Sequence, residues 1–198
     1  MFDIWLRQRI DPALNGIGKA IAKNGVSANA VTVLGAVIGV GAAVLIAHGF
    51  YLAALALVAV NRTLDGLDGA IARQSQPTAW GGYLDSIADY VFYIAVPLGF
   101  AWAAPENVWP ALLLVSSFTL TAVSFLALAA ILAGQDMGHA NKSFTYTTGL
   151  MEGGETITAF ILFCLFPNHF PLLSTVFAAL CVLTVIQRLW LARQTLRS

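Results

Sequence analysis

Six long apolar runs constrain this chain more than any other feature. A bilayer takes about 20 apolar residues per helix, and runs of that order fall at approximately residues 28–48, 52–73, 82–104, 108–134, 146–166 and 171–192. The breaks between them carry turn or polar signals: His48-Gly49, Gln76-Pro77, Pro105-Glu106-Asn107, the polar segment from Gly134 to Thr148, and Pro167-Asn168-His169. The 198 residues are 59% hydrophobic and only 10% charged, with a mean hydropathy of +0.78, whereas soluble domains are about 25% charged. The expectation is an all-α, polytopic integral membrane protein with six transmembrane helices and no separate soluble domain.

The first 26 residues read differently. They mix charged and apolar residues too evenly for the uninterrupted apolar stretch of a signal peptide, so no cleavable signal is expected. Asp11-Pro12 marks a helix start and Gly25 a stop. Between them Leu14, Ile17 and Ile21 share one face, while Asn15, Lys19 and Lys23 lie elsewhere. This predicts an amphipathic helix in the membrane interface, its lysines toward anionic headgroups; an ordinary helix packed on the protein is the alternative. The expected organisation is an amphipathic interfacial helix over 1–26 and a six-helix transmembrane domain over 27–198.

Six crossings put both termini on one side. All ten Lys and Arg residues lie in, or toward the end facing, that compartment, and the positive-inside rule makes it the cytoplasm. The formal net charge is zero, which gives no case for nucleic acid as a partner. Cys164 and Cys181 sit in the last two spans without metal-ligand spacing and read as small packing residues.

Four aspartates interrupt this apolar background: Asp65 and Asp68 in span 2, Asp85 and Asp89 in span 3. On insertion scales an Asp at the centre of a membrane helix costs roughly 2.5–3.5 kcal/mol, so four could cost on the order of 10 kcal/mol without compensation. Spacings of three and four put each pair on one helix face. At 1.5 Å per residue all four fall within about 12 Å of the helix ends joined by the short connection from Gln74 to Trp80. Two facing carboxylate pairs suit one or two hard cations such as Mg2+ or Mn2+, which favour carboxylate oxygens and keep positions for phosphate. The absence of His or Cys at ligand spacing argues against zinc. Gly66, Gly69, Gly81 and Gly82 allow close approach of backbone to a ligand, or of helix to helix. Arg73 is able to grip a diphosphate, or to snorkel to the interface.

Taken together, Asp65-x-x-Asp68-Gly69-x-x-Ala72-Arg73, seven further residues, and Gly81-x-x-x-Asp85-x-x-x-Asp89 resemble the signature of the CDP-alcohol phosphotransferase family. The six-span layout, lead helix and cytoplasmic site extend the resemblance over most of the chain. It implies transfer of a phosphoalcohol group, such as phosphatidyl, from a CDP-linked lipid donor to the hydroxyl of an acceptor alcohol, with release of CMP. In those terms 27–198 is a catalytic domain facing the cytoplasm from a bacterial inner membrane. Asp65, Asp68, Asp85 and Asp89 hold two Mg2+ or Mn2+ ions, Asp89 is also the general base, and Gly69, Ala72, Arg73 and Gly81 line the donor side. A homodimer is a further expectation carried by the resemblance.

The motif leaves the acceptor unassigned. Lys142, Glu152, Glu155 and Arg188 are the polar candidates for it, although Glu152 and Glu155 are equally suited to hydrogen bonding between helices. With few cations to spare, an acceptor lacking a phosphate is favoured. Two rivals remain. An intramembrane Mg2+-dependent prenyltransferase would use Asp85-x-x-x-Asp89 but has more spans and a different first motif. A cation transporter would use the carboxylates but not Arg73 or the glycines.

Overall fold

The computed structural model describes residues 2–136 and 153–196. Among these residues the regular elements are seven α-helices and two short 3-10 turns. The helices are α1 (Phe2–Lys23), α2 (Ala28–Ala47), α3 (Tyr51–Ala72), α4 (Ala79–Ala103), α5 (Val108–Asp136), α6 (Gly153–Leu165) and α7 (Phe170–Thr195). Four segments, Ala28–Ala47, Ala79–Ala103, Pro105–Ala133 and Pro167–Thr195, are long and apolar enough to cross a membrane. At 22 residues α3 falls within their range of lengths but carries Arg62, Asp65 and Asp68, and the described part of α6 is a 13-residue apolar helix.

Helix ends follow local chemistry. The Ser27 and Thr78 hydroxyls cap α2 and α4 by accepting from the N–H groups of Ala30 and Gly81. Gly25 and Gly49 take φ values of 79° and 80° just past α1 and α2, a left-handed conformation that favours glycine.

In α1 the structure corrects one expectation. The helix does not start at Asp11-Pro12; it runs through from Phe2 with Pro12 inside, because Pro removes one hydrogen bond without obliging the helix to end. Ile17 is half exposed, while Leu14 and Ile21 pack on Val31, Leu67 and Ile71. The residue between them at the contact is Gly18, where an added Cβ would lie 2.8 Å from the Cβ of Ala70. α1 therefore packs backbone-close on α3, with Lys19 and Lys23 exposed.

The helix that organises the rest is α2. Both α3 and α4 pack extensively on it and scarcely touch each other. Small residues make this possible. A Cβ on Gly39 would come within 2.8 Å of the Phe92 ring, and one on Gly99 within 2.5 Å of the Ala43 carbonyl oxygen, the close approach expected of small-residue helix contacts in membranes. Two helices seated on a third leave a groove between them, and that groove holds the polar residues. Beyond it lies an aromatic core. Phe100 stacks on Phe170 with centroids 4.3 Å apart and on Tyr51 at 5.7 Å, and Phe92, Phe160 and Phe163 complete the buried cluster.

Candidate active site

The last turns of α3 and the first of α4 bring all four aspartates together. Asp65, Asp68, Asp85 and Asp89 line one void of about 10 Å³, closed by Thr32, Gly35 and Ala36 of α2 and by Asn61, Arg62 and Ala88. That is room for roughly one water-sized sphere. Asp68 is the most enclosed, 6% exposed, and accepts a 2.6 Å hydrogen bond from the Thr32 hydroxyl. Asp89 Oδ1 accepts from Arg62 Nη2 at 3.0 Å, and Asp65 Oδ2 lies 3.6 Å from Arg62 Nη1.

Thr32, Asp68 and Asp85 also border a second and larger space, so the two lie side by side. This cleft, of about 320 Å³, is lined by the start of α2 (Ser27, Ala28, Asn29, Thr32), the end of α3 (Gly69, Ala72), the connection (Ser75 to Thr78), and Gly81 and Gly82 of α4. Its size falls in the range of ligand pockets, about 300–1,000 Å³. The glycines divide by role. Gly66 faces α1, where a Cβ would sit 2.7 Å from Leu14 Cδ1, so it serves helix packing. At Gly69 an added Cβ would come within 4 Å of nothing but Arg73 Nη1, at 3.4 Å, leaving backbone exposed to the cleft. Gly81 is the constrained member of its pair, 3.2 Å from both Asn29 Oδ1 and Thr78 Oγ1, whereas Gly82 is open.

Arg73 is placed beside the cleft rather than in its lining. Its Nε and Nη2 donate to Asn15 Oδ1 of α1 at 3.2 and 2.9 Å, on an exposed side chain. Of the acceptor-side candidates, Arg188 is buried and ties α7 to α5, donating to the Thr121 carbonyl at 2.8 Å and lying 3.3 Å from Ser124 Oγ. Glu155 lies in the first turn of α6, a helix whose first residue, Gly153, abuts the Tyr93 hydroxyl. Lys142 and Glu152 lie outside the described residues.

Sequence reasoning missed Asn61 and Arg62. A charged residue one turn deeper than Asp65 was itself the signal, since an arginine at that depth needs a partner. Thr32, in the second turn of α2 beyond the Ser27 cap, was likewise missed as a partner for Asp68; its hydroxyl donates to that carboxylate.

The donor set fits a hard divalent cation. It is oxygen-only, it lines one void, and Arg62 offsets one of its four negative charges. As the side chains stand, no three acidic, His or Cys groups among the described residues converge on one point. Arg62 stands between Asp65 and Asp89 instead.

Comparison with known proteins is consistent across sequence and structure. The chain is 45% identical over 202 residues to the inner membrane protein YnjF of Escherichia coli, covering 100% of this chain and 98% of that one. It is 31% identical over 198 residues to the archaetidylinositol phosphate synthase of Pyrococcus horikoshii, with 96% of both chains covered. The fold matches that of the Mycobacterium tuberculosis phosphatidylinositol phosphate synthase PgsA1. With CDP-DAG bound, that structure gives a TM-score of 0.72 at 21% identity over 90% of this chain and 92% of the other. Its complex with manganese and citrate gives 0.73 at 22% identity over 90% and 88%. Residues 25–190 match the CDP-alcohol phosphatidyltransferase domain, and with a void of four carboxylates beside a glycine-lined cleft, the chain belongs to the CDP-alcohol phosphatidyltransferase family of membrane-bound, divalent-cation-dependent enzymes of phospholipid synthesis.

Proposed function

We propose that this enzyme transfers a phosphatidyl group from CDP-diacylglycerol to a small alcohol. The observation that carries this reading is that the carboxylate void and the cleft share Asp68 and Asp85 as walls. A diphosphate laid there would have its reacting phosphorus near the carboxylates and its nucleotide against Gly69, Ala72 and Gly81. Arg73, anchored by Asn15, stands at the outer edge to meet the diphosphate charge. Asp65, Asp68, Asp85 and Asp89 would hold two Mg2+ or Mn2+ ions, which when bound neutralise the diphosphate and stabilise its leaving charge. Asp89 removes the acceptor's hydroxyl proton, through the oxygen not engaged by Arg62. The acceptor oxygen then bonds to the phosphorus bearing the lipid as that phosphorus releases the bridging oxygen, and CMP departs.

The architecture belongs to the same reading. Residues 27–198 form the catalytic domain, with α3 and α6 as the remaining two of six spans. α1 lies in the cytoplasmic interface of a bacterial inner membrane, so the cleft faces the cytoplasm and the donor's acyl chains remain in the bilayer. Arg62 is engaged by Asp65 and Asp89 and Arg73 by the donor's diphosphate, which favours an acceptor without a phosphate. Glu155 recognises it, and Glu155→Gln raises the acceptor's KM several-fold with the donor's nearly unchanged. The relatives named as synthases of inositol phosphate lipids give a specific reason to assay the opposite case. Turnover with phosphorylated alcohols alone would reverse the assignment and make Lys142 and Arg188 the first residues to test. A homodimer through membrane helices completes the proposal; a monomer in nanodiscs with full activity would remove it.

The deciding experiment is release of CMP from CDP-diacylglycerol by the purified protein, dependent on Mn2+ or Mg2+ and on an added alcohol. Prenyl transfer or cation flux without CMP release would point to one of the rival classes instead.

A further inference from the structure

Arg62 lies outside the fixed positions of the aspartate motif, yet it ties the two carboxylate pairs together. Its Nη2 is 3.0 Å from Asp89 Oδ1 on α4, and its Nη1 is 3.6 Å from Asp65 Oδ2 on its own helix. The guanidinium is also held from behind. Nε donates to Asn61 Oδ1 at 2.7 Å, the buried Asn61 donates to the Gly35 carbonyl at 2.8 Å, and the Phe92 ring lies 4.7 Å from the guanidinium carbon. None of these three contacts involves a carboxylate. An ordinary exposed ion pair must order two long side chains for little return; here the ordering is done by Asn61 and Phe92. Asp65 and Asp89 could therefore turn to another partner without stranding Arg62.

Resting on the reading of the four aspartates as a cation site, we propose that Arg62 is a positioning residue of that site. It is a built-in monovalent cation that competes with divalent cations for Asp65 and Asp89, and so sets how tightly they are held. It relieves repulsion among the carboxylates when no divalent cation is bound. When one is, a fixed positive charge a few ångströms away opposes it, which keeps the ions exchangeable.

The test is Mn2+ binding by wild-type, R62Q and R62K protein in lipid nanodiscs without donor, read from the electron paramagnetic resonance signal of free Mn2+. R62Q should bind Mn2+ about tenfold more tightly, because the opposing charge is gone. R62K should gain about two- to threefold, since a point charge cannot grip two carboxylates as a guanidinium fork does. Affinity equal to or weaker than wild type in either variant would overturn the proposal. Should R62Q fold only with Mn2+ present, the loss of an internal counter-charge is confirmed, and R62K carries the affinity comparison. Absence of any Mn2+ binding by the wild type would overturn the cation-site reading, and this inference with it.

Discussion

Between Phe92 and Phe100, α4 is buried among aromatic rings; between Asp85 and Asp89, one turn earlier, it borders a void lined with carboxylates. The aromatic half satisfies itself. Phe100 alone has Tyr51 and Phe170 stacked on it and Phe163 edge-on, and nothing from outside would improve it. In the carboxylate half the local interactions conflict, with four acidic groups gathered around one void in an otherwise apolar chain. Such conflict is what a functional site looks like in a chain that is otherwise locally consistent. Arg62 stands at the boundary, one face on Phe92 and its fork toward Asp65 and Asp89.

If the two halves divide the labour in this way, substitutions should separate chemistry from folding. The largest effect should come from Asp89→Asn, which is expected to cut transfer at least about 10³-fold, at the upper end of what a general base contributes. Its thermal midpoint in detergent should barely change, and donor and Mn2+ binding should persist. Donor binding that collapses as far as in Asp68→Asn would make Asp89 a cation ligand first and remove its role as base. The converse change, Phe100→Ala, should destabilise the fold by about 3–5 kcal/mol, seen as a large drop in thermal midpoint. The fraction still folded should turn over at the wild-type rate, and a loss of turnover larger than the loss of folded protein would erase the distinction between the halves.

A smaller effect tests the outside partner directly. Stripping divalent cations with a chelator should lower the wild-type midpoint, since saturating ligand at about 100 times its dissociation constant adds about 2.7 kcal/mol. In the Asp65→Asn/Asp68→Asn double variant the midpoint should not respond; an equal response in both would place the ions elsewhere. The smallest expected difference is between neighbouring glycines. Gly81→Ala pushes a methyl to 3.2 Å from Asn29 and Thr78, whereas Gly82→Ala meets no protein atom within 4 Å. Only the first should lower the midpoint, by a degree or two on the order of 0.5 kcal/mol; equal shifts would mean that the α2–α4 contact is softer than it looks.

Much of this was legible in the chain. Five of the expected spans match helices α2, α3, α4, α5 and α7 to within a few residues, because hydropathy and turn residues act locally. The aspartate motif was legible for the same reason, its spacing being a property of single helices. Contacts between helices were not. Thr32 reaches Asp68, and Asn61 reaches Gly35, only in one particular register of α2 against α3, and no periodicity encodes that register. The contact of α1 with α3 was illegible for a related reason: the residue at closest approach is Gly18, which a search for apolar side chains passes over. Arg73 and Asn15, 58 positions apart, show the same limit.

The lead helix has a practical meaning for anyone who shortens or tags this chain. Gly18 lies against Ala70 and Leu14 against Gly66, positions interleaved with Asp65, Asp68 and Gly69, so α1 is bolted to the very turns that present the acidic residues. A deletion of the first 23 residues, made in the belief that they are a detachable leader, would uncover Leu67 and Ile71 and release Arg73 from Asn15. Any shortened form of the protein should keep that segment whole.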